Sequence, residues 1–341
     1  MKHTVIIAEA GVNHNGNLDN AFKLIDVAVA AGVDYVKFQT FKADKLVSSA
    51  AKKADYQIEN TQNNEESQLE MLKKLELSIK DHENLIAYCK SKNIKFFSTA
   101  FDLESLTYLS SIGLDMVKIP SGEITNLPYL RRAAELFSKV ILSTGMATME
   151  DIHLAINVFL KNGIGKDDIS ILHCNTEYPT PMHDVNLKAM LHIGEVFGTE
   201  VGYSDHTLGI EVPIAAVALG ARIIEKHYTL DRNLPGPDHA ASLEPLELKA
   251  MVSAIRNIDA AISGSGLKEP SISEMKNSSI ARKSIHLNRD KKAGEFLSAE
   301  DFEMLRPGDG ISPMIMDDLI GKELNKDLEA GHKLSFTDFV L

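Results

Sequence analysis

Two histidines (His206 and His227), two lysines set inside apolar runs (Lys37 and Lys118) and two carboxylates (Glu9 and Glu123) are the residues of this chain whose types and placing fit chemistry. Val5–Ala8 leads into Glu9, Tyr35–Phe38 surrounds Lys37, and Met116–Ile119 holds Lys118 and leads into Ser121-Gly122-Glu123. Val201–Tyr203 leads into Ser204-Asp205-His206, and Arg222–Ile224 into Glu225-Lys226-His227. A lysine inside such a run is costly to bury unless an anion compensates its charge. Lys37 and Lys118 therefore mark either an anion cradle or ion pairs with Glu9 or Glu123. Thr99, Ser121, Ser143, Asn175 and Ser204 stand at the ends of similar runs and offer neutral donors to phosphate or carboxylate oxygens, although any one of them alone reads first as a helix N-cap. Two imidazoles that converge on a divalent ion leave most of its shell open, which suits a Lewis acid acting on a carbonyl; two histidines alone are weak support for a metal.

The elements that must position these residues are legible as a repeat. With Phe96–Phe97 into Ser98-Thr99, Val140–Leu142 into Ser143-Thr144-Gly145, and Ile171–Cys174 into Asn175, there are eight strand-length apolar runs. Between them Leu18–Ala31, His82–Ser91, Leu103–Ser111, Met149–Leu160, Val185–Phe197, Ile210–Leu219 and Pro245–Ile262 carry apolar residues at helical spacing. Eight βα units predict a closed (β/α)8 barrel with its active-site groups at the C-terminal strand ends, so that His206 and His227 sit on neighbouring strands. Gly32, Gly113 and Gly220 end three of the helices, where a left-handed C′ residue is needed. An open doubly wound sheet is the lesser alternative, because no glycine-rich dinucleotide loop is present.

At 341 residues the chain is longer than a typical barrel of about 250. The excess falls after Ser263-Gly264-Ser265-Gly266, giving a barrel over 1–262, a linker over 263–280 and a module over 281–341. Short apolar pieces between glycine-containing turns make that module β-rich. The net charge of −12 argues against a nucleic-acid surface, which needs a concentrated basic face. No signal peptide or apolar stretch of membrane length is visible, and the expectation is a soluble cytoplasmic protein with no membrane partner. Cys89 and Cys174 read as packing residues of a reduced compartment.

The segments Ala8-Glu9-Ala10-Gly11-Val12-Asn13-His14-Asn15-Gly16, Val36-Lys37-Phe38-Gln39-Thr40, Lys118-Ile119-Pro120-Ser121-Gly122-Glu123, Tyr178-Pro179-Thr180-Pro181, Gly202-Tyr203-Ser204-Asp205-His206-Thr207 and Pro235-Gly236-Pro237-Asp238-His239 together resemble the sialic acid (nonulosonic acid) synthase family, in order and over nearly the whole chain. The resemblance implies condensation of phosphoenolpyruvate with an N-acylated mannose-type sugar, with release of phosphate. It implies that Lys37, Thr99, Lys118, Ser121, Ser143, Asn175 and Ser204 bind phosphoenolpyruvate. His206 and His227 would bind a divalent metal, manganese first, with magnesium or cobalt as alternatives. Glu123, and second Glu9, would handle protons, and Gln39, Tyr178 and Asp238 would face the sugar. The last module resembles the antifreeze-like (SAF) domain of the family, which implies a domain-swapped homodimer in which Arg306 reaches the partner's site. The segments Lys53-Ala54-Asp55-Tyr56-Gln57 and Asp238-His239-Ala240-Ala241-Ser242 look more like the branch that forms N,N′-diacetyllegionaminate from 2,4-diacetamido-2,4,6-trideoxymannose than the branch that forms N-acetylneuraminate from N-acetylmannosamine; pseudaminate synthesis is a distant third. A Schiff-base aldolase barrel using Lys37, Lys118 or Lys226 is the alternative from another class.

Overall fold

The computed structural model describes residues 3–340 apart from 62 and 64. Strands β1 (Val5–Gly11), β2 (Tyr35–Thr40), β3 (Lys95–Ala100), β4 (Met116–Ile119), β5 (Lys139–Ser143), β6 (Ile169–Cys174), β7 (Glu200–Asp205) and β8 (Ile223–His227) close into a parallel barrel in sequence order, β8 pairing with β1. The outer helices are α1 (Leu18–Ala31), α5 (Ile79–Ser91), α6 (Leu103–Ser111), α7 (Leu127–Leu136), α8 (Met149–Lys161), α9 (Leu187–Phe197), α10 (Glu211–Ala218) and α11 (Pro245–Ala261). Three short helices, α2 (Ala43–Leu46), α3 (Asp55–Thr61) and α4 (Gln68–Leu75), occupy the long connection from β2 to α5. Capping follows the sequence: Asn17 caps α1 by accepting from the backbone N–H of Asp19 and Asn20, and Gly32 ends it at φ 79°. Among the described residues no helix is long and apolar enough to cross a membrane.

Strand side chains alternate between the two faces of a sheet, and here the alternation builds the barrel in layers. Ile7, Phe97, Ile141, Leu172 and Ile223 form a buried inward layer, with Tyr35 and Met116 packed against it. Each such aliphatic side chain, fully buried, contributes about 1.5–3 kcal/mol. Two residues further along the same strands the inward positions become Glu9, Lys37, Thr99, Lys118, Ser143, Cys174 and Glu225. The polar layer thus rests on an apolar plug. The intervening residues point outward, where Ile6, Val36, Phe38, Tyr203 and Ile224 join α1, α10 and α11 in one core, and Val117, Ile119, Val140, Leu142 and Ile171 join α6, α7 and α8 in another. On β7 the inward position beneath Ser204 is Gly202, because a Cβ there would lie 2.3 Å from the carbonyl oxygen of Ile223 and 2.7 Å from Leu172 Cδ2.

The chain divides into two compact units, 1–263 and 264–341. In the second, β9 (Ser284–Leu287) pairs antiparallel with β10 (Phe302–Leu305), and isolated bridges and 3-10 turns surround a core of Ile285, Leu287, Leu297, Leu324, Leu334 and Phe339. The stretch 263–280 is not linker throughout. It carries most of α12 (Ile272–Ala281), started by a capping box in which Ser271 and Glu274 satisfy each other's backbone N–H. This helix buries no residue, so it has no apolar stripe to announce it.

Candidate active site

A cavity of about 620 Å³ opens above the polar layer at the C-terminal ends of the strands, lined by Glu9, Lys37, Thr99, Lys118, Ser121, Ser143, Ser204 and Glu225, with Gln39, Tyr178, His206 and His227 above them. Register explains the gathering: Glu9 stands opposite Lys37, Thr99 opposite Lys118, and Ser204 opposite Glu225. Lys37 Nζ lies 2.8 Å from Glu9 Oε2 and 3.6 Å from Glu225 Oε2, and donates to Thr99 Oγ1 at 2.8 Å. Lys118 Nζ donates to Glu225 Oε1 at 3.1 Å, and Ser204 Oγ donates to the same oxygen at 3.1 Å. Both lysines therefore have carboxylate partners, but the second partner is Glu225 and not Glu123. Glu9 also accepts from Gln39 Nε2 at 3.2 Å. Gly11 supports this corner at φ 52°, where an added Cβ would lie 3.3 Å from both Gln39 Nε2 and Glu9 Oε1.

The two buried carboxyls titrate apart. Burial is the largest influence on Glu9 and raises it to about 7; Lys37 opposes this, and the negative charge of Glu225 adds to it. Burial acts on Glu225 in the same sense, but Lys118 and then Lys37 outweigh it and hold that carboxyl at about 2. Burial lowers Lys37, yet the opposing charges of Glu225 and Glu9 raise it above the ordinary lysine value. The buried Ser143 hydroxyl and Glu225 Oε2 have no hydrogen-bond partner among the described residues.

The two imidazoles face each other across the mouth with ring centroids 5.4 Å apart. His206 Nδ1 is 2.5 Å from the carbonyl oxygen of Asn175, so the proton sits on Nδ1 and Nε2 is left as an acceptor. Among the described residues His227 Nδ1 is buried without a hydrogen bond, with Asp238 Oδ2 at 3.7 Å. Burial drives both rings toward the neutral, ligating form, His206 to about 4 and His227 well below its usual value, where His206 and Lys37 add to the effect. Burial likewise raises Asp238 to about 6. Among the described residues no group of three His, Cys, Asp or Glu side chains could hold a metal ion, so a cation here would rest on two nitrogens and take its other ligands from water or substrate.

Residues 24–268 match the model of the NeuB family, and residues 282–340 that of the SAF domain. The chain belongs to the NeuB family. It is 54% identical over 327 residues to the N,N′-diacetyllegionaminic acid synthase of Campylobacter jejuni, covering 96% of this chain and 97% of that protein. It is 47% identical to the synthase of the same name from Legionella pneumophila, over 96% of this chain and 92% of that one. Among solved structures, the N-acetylneuraminic acid synthetase of Leptospira borgpetersenii in complex with citrate matches at 36% identity with a TM-score of 0.71, covering 81% of this chain and 90% of that chain.

Within this NeuB-family barrel several expected residues stand elsewhere. Glu123 does not line the cavity. Residues Ser121–Glu123 form a 3-10 turn of three residues per turn, which presents Ser121 and Gly122 to the cavity and swings Glu123 to a separate cleft, where it accepts from Asn126 Nδ2 at 2.6 Å. Asn175 contributes its carbonyl to His206, while its side chain accepts from the backbone N–H of Glu177 at 2.7 Å in an Asx turn. Lys226 points outward from β8, fully buried, with Nζ 2.6 Å from Asp205 Oδ2 and also donating to the Thr207 carbonyl, so it is no Schiff-base candidate. Arg306 is exposed on the second unit, its Nε donating to the Ala281 carbonyl at 3.0 Å. Sequence reasoning missed Glu225, although its signal was present: it shares a face with His227 two residues on. It quoted Tyr56 only within a branch-specific segment and gave it no role, although its ring lies 5.0 Å from that of Tyr178.

Proposed function

We propose that this chain condenses phosphoenolpyruvate with 2,4-diacetamido-2,4,6-trideoxymannose, giving N,N′-diacetyllegionaminate and phosphate. The observation that carries the reaction is the pair of buried lysines at the barrel mouth, ringed by the hydroxyls of Thr99, Ser121, Ser143 and Ser204, directly beneath two neutral imidazoles. The acceptor rests on the near-full-length likeness to the two legionaminic acid synthases. Lys37 and Lys118 bind the carboxylate and phosphate charges, and the Ser143 hydroxyl, otherwise unpartnered, is free to donate to an oxygen of the substrate. Gln39, Tyr178 and Asp238 face the sugar. A divalent cation held by His206 and His227, manganese by preference, would supply Lewis acidity at the acceptor aldehyde.

The bond changes assign roles to the chain's own residues. C3 of phosphoenolpyruvate bonds to C1 of the aldehyde, water adds to C2, and the tetrahedral centre loses phosphate with the bridging oxygen. Glu9, protonated up to about pH 7, is placed to give a proton to the nascent alkoxide, and as carboxylate to take one from the entering water. Glu225, held ionised by both lysines, orients Lys118 and Ser204. Arg306 is proposed to act in the partner's cavity in a domain-swapped homodimer.

The test is turnover of phosphoenolpyruvate carrying 18O at the bridging position, with each of the two acceptors. Expected are a nine-carbon keto acid, label in the released phosphate, loss of turnover on chelation, and a higher kcat/KM for the diacetamido sugar than for N-acetylmannosamine. Label retained in the keto acid would refute C–O cleavage, and a preference for N-acetylmannosamine would refute the acceptor assignment.

A further inference from the structure

The connection between β2 and α5 is long, and its central helix has no core to explain it. Helix α3 buries no residue. It is held from its ends: Lys53 Nζ, buried, donates to the Asn63 carbonyl at 2.5 Å and reaches Glu66 Oε2 and Thr61 Oγ1, each at 3.3 Å. On the other side Asn60 Nδ2 donates at 2.6 Å to the carbonyl of Pro237, in the loop after β8 that carries Asp238. A buried lysine spent on a loop and a hydrogen bond between two cavity-side loops fix one feature in place, the Tyr56 ring. It stacks on Tyr178 at 5.0 Å and 26° between planes, and Tyr178 in turn stacks on His206 at 4.0 Å and 29°. Tyr56, Tyr178 and His206 all line the cavity. The aromatic stack therefore runs from the imidazole pair outward along one side of the mouth.

We infer that Tyr56 is a specificity-determining residue: with Tyr178 it forms an apolar wall for the deoxygenated, acetamido-bearing edge of the acceptor, and it selects such sugars over polyhydroxylated ones. The inference rests on the acceptor reading above. A methyl group or an acetamido methyl packed on an aromatic face loses nothing on leaving water, whereas a hydroxyl in the same place gives up its water without a partner. The wall is distant from the two lysines' carboxylate partners in function: it touches the acceptor and leaves the enolpyruvate cradle alone.

The experiment uses the full-length protein and its Tyr56→Phe, Tyr56→Ala and Lys53→Met variants. Steady-state kinetics with phosphoenolpyruvate would be measured against 2,4-diacetamido-2,4,6-trideoxymannose and N-acetylmannosamine. Tyr56→Ala is expected to lower the kcat/KM ratio between the two sugars by about tenfold or more, chiefly through KM for the diacetamido sugar, with KM for phosphoenolpyruvate unchanged. Tyr56→Phe should keep the wild-type ratio, and Lys53→Met, which frees the helix but spares the ring, should lower it. An unchanged ratio in Tyr56→Ala, or a parallel rise in KM for phosphoenolpyruvate, would overturn the wall while leaving the reaction assignment intact. Wild-type turnover of neither sugar would overturn the acceptor reading and the wall together.

Discussion

Replacing Glu225 by Gln removes one of the two negative charges that neutralise the buried lysines. Lys118 Nζ is 3.1 Å from Glu225 Oε1, and both side chains are at most 5% exposed. Lys37 would keep Glu9 at 2.8 Å, but Lys118 has no other carboxylate within 4.0 Å among the described residues. Losing one partner of a buried pair costs about 3–5 kcal/mol, because the remaining charge stays out of water. At about 2 °C per kcal/mol for a unit of this size, the ligand-free melting temperature should fall by roughly 6–10 °C. The same change leaves the cradle one charge more positive, so an anionic ligand should restore more stability than it adds to the wild type. Phosphoenolpyruvate should bind at least as tightly to Glu225→Gln while turnover falls, because Ser204 and Lys118 lose the group that orients them. Thermal melts with and without saturating phosphoenolpyruvate, paired with calorimetric titration, measure both quantities. A variant that melts with the wild type and gains no more from the ligand would refute the reasoning that Glu225 is the counter-charge an incoming anion replaces.

Four other outcomes follow from the same geometry. With Glu9 protonated the charges of Lys37, Lys118 and Glu225 sum to +1, and with it ionised to zero, so phosphoenolpyruvate affinity of the wild type relative to Glu9→Gln should weaken as pH rises through about 7; a constant ratio from pH 6 to 8.5 would count against this. Stability has the same sign, since a carboxyl shifted from 4.5 to about 7 on folding lowers stability as pH rises across that interval. Cys174 lines the cavity with its sulfur 3.3 Å from Ser121 Oγ, whereas Cys89 is buried in the outer core, so phosphoenolpyruvate should slow alkylation of Cys174 by several-fold, and mass mapping that shows no protection would place the ligand elsewhere. Mixing Arg306→Ala with a Lys37→Met barrel variant, each inactive alone, should recover activity through exchanged subunits, and no recovery would argue against delivery in trans.

Most of the barrel could be read from the chain because its two periods are clean. Strand runs of four to seven residues alternate with helices that end on Gly32, Gly113 and Gly220, all of which adopt positive φ. The lysines were legible for a simpler reason: a cation in an apolar run has few explanations. What failed was orientation beyond the strand ends. Ser121 and Glu123 look equivalent when counted from β4, but a single 3-10 turn separates them by most of a rotation, and only one meets the cavity. Asn175 was placed on the right element, yet its side chain satisfies the next turn and its carbonyl does the work. Tyr56 could not be placed against the cavity, because α3 is held by polar contacts, Lys53 to Asn63 at its flanks and Asn60 to Pro237, that leave no periodic signature.

Glu225 shows why the site reads differently in three dimensions than in one. From the sequence, a buried lysine asks for an anion, and the substrate looks like the answer. The folded protein must also survive without substrate, and two uncompensated ammonium groups on an apolar plug would cost more than the fold can spare. Glu9 and Glu225 meet that demand from inside the barrel, Glu9 on β1 in register with Lys37, and Glu225 on β8 in register with Ser204 and reaching Lys118 through its side chain. Their unequal titration then resolves the conflict that follows. If both stayed ionised, an anionic substrate would enter a neutral site; because Glu9 keeps its proton to about pH 7, the cradle retains a positive charge for the ligand. In the proposed reaction, the carboxyl that makes room for the substrate's charge would also be the one holding a mobile proton beside the reacting carbons.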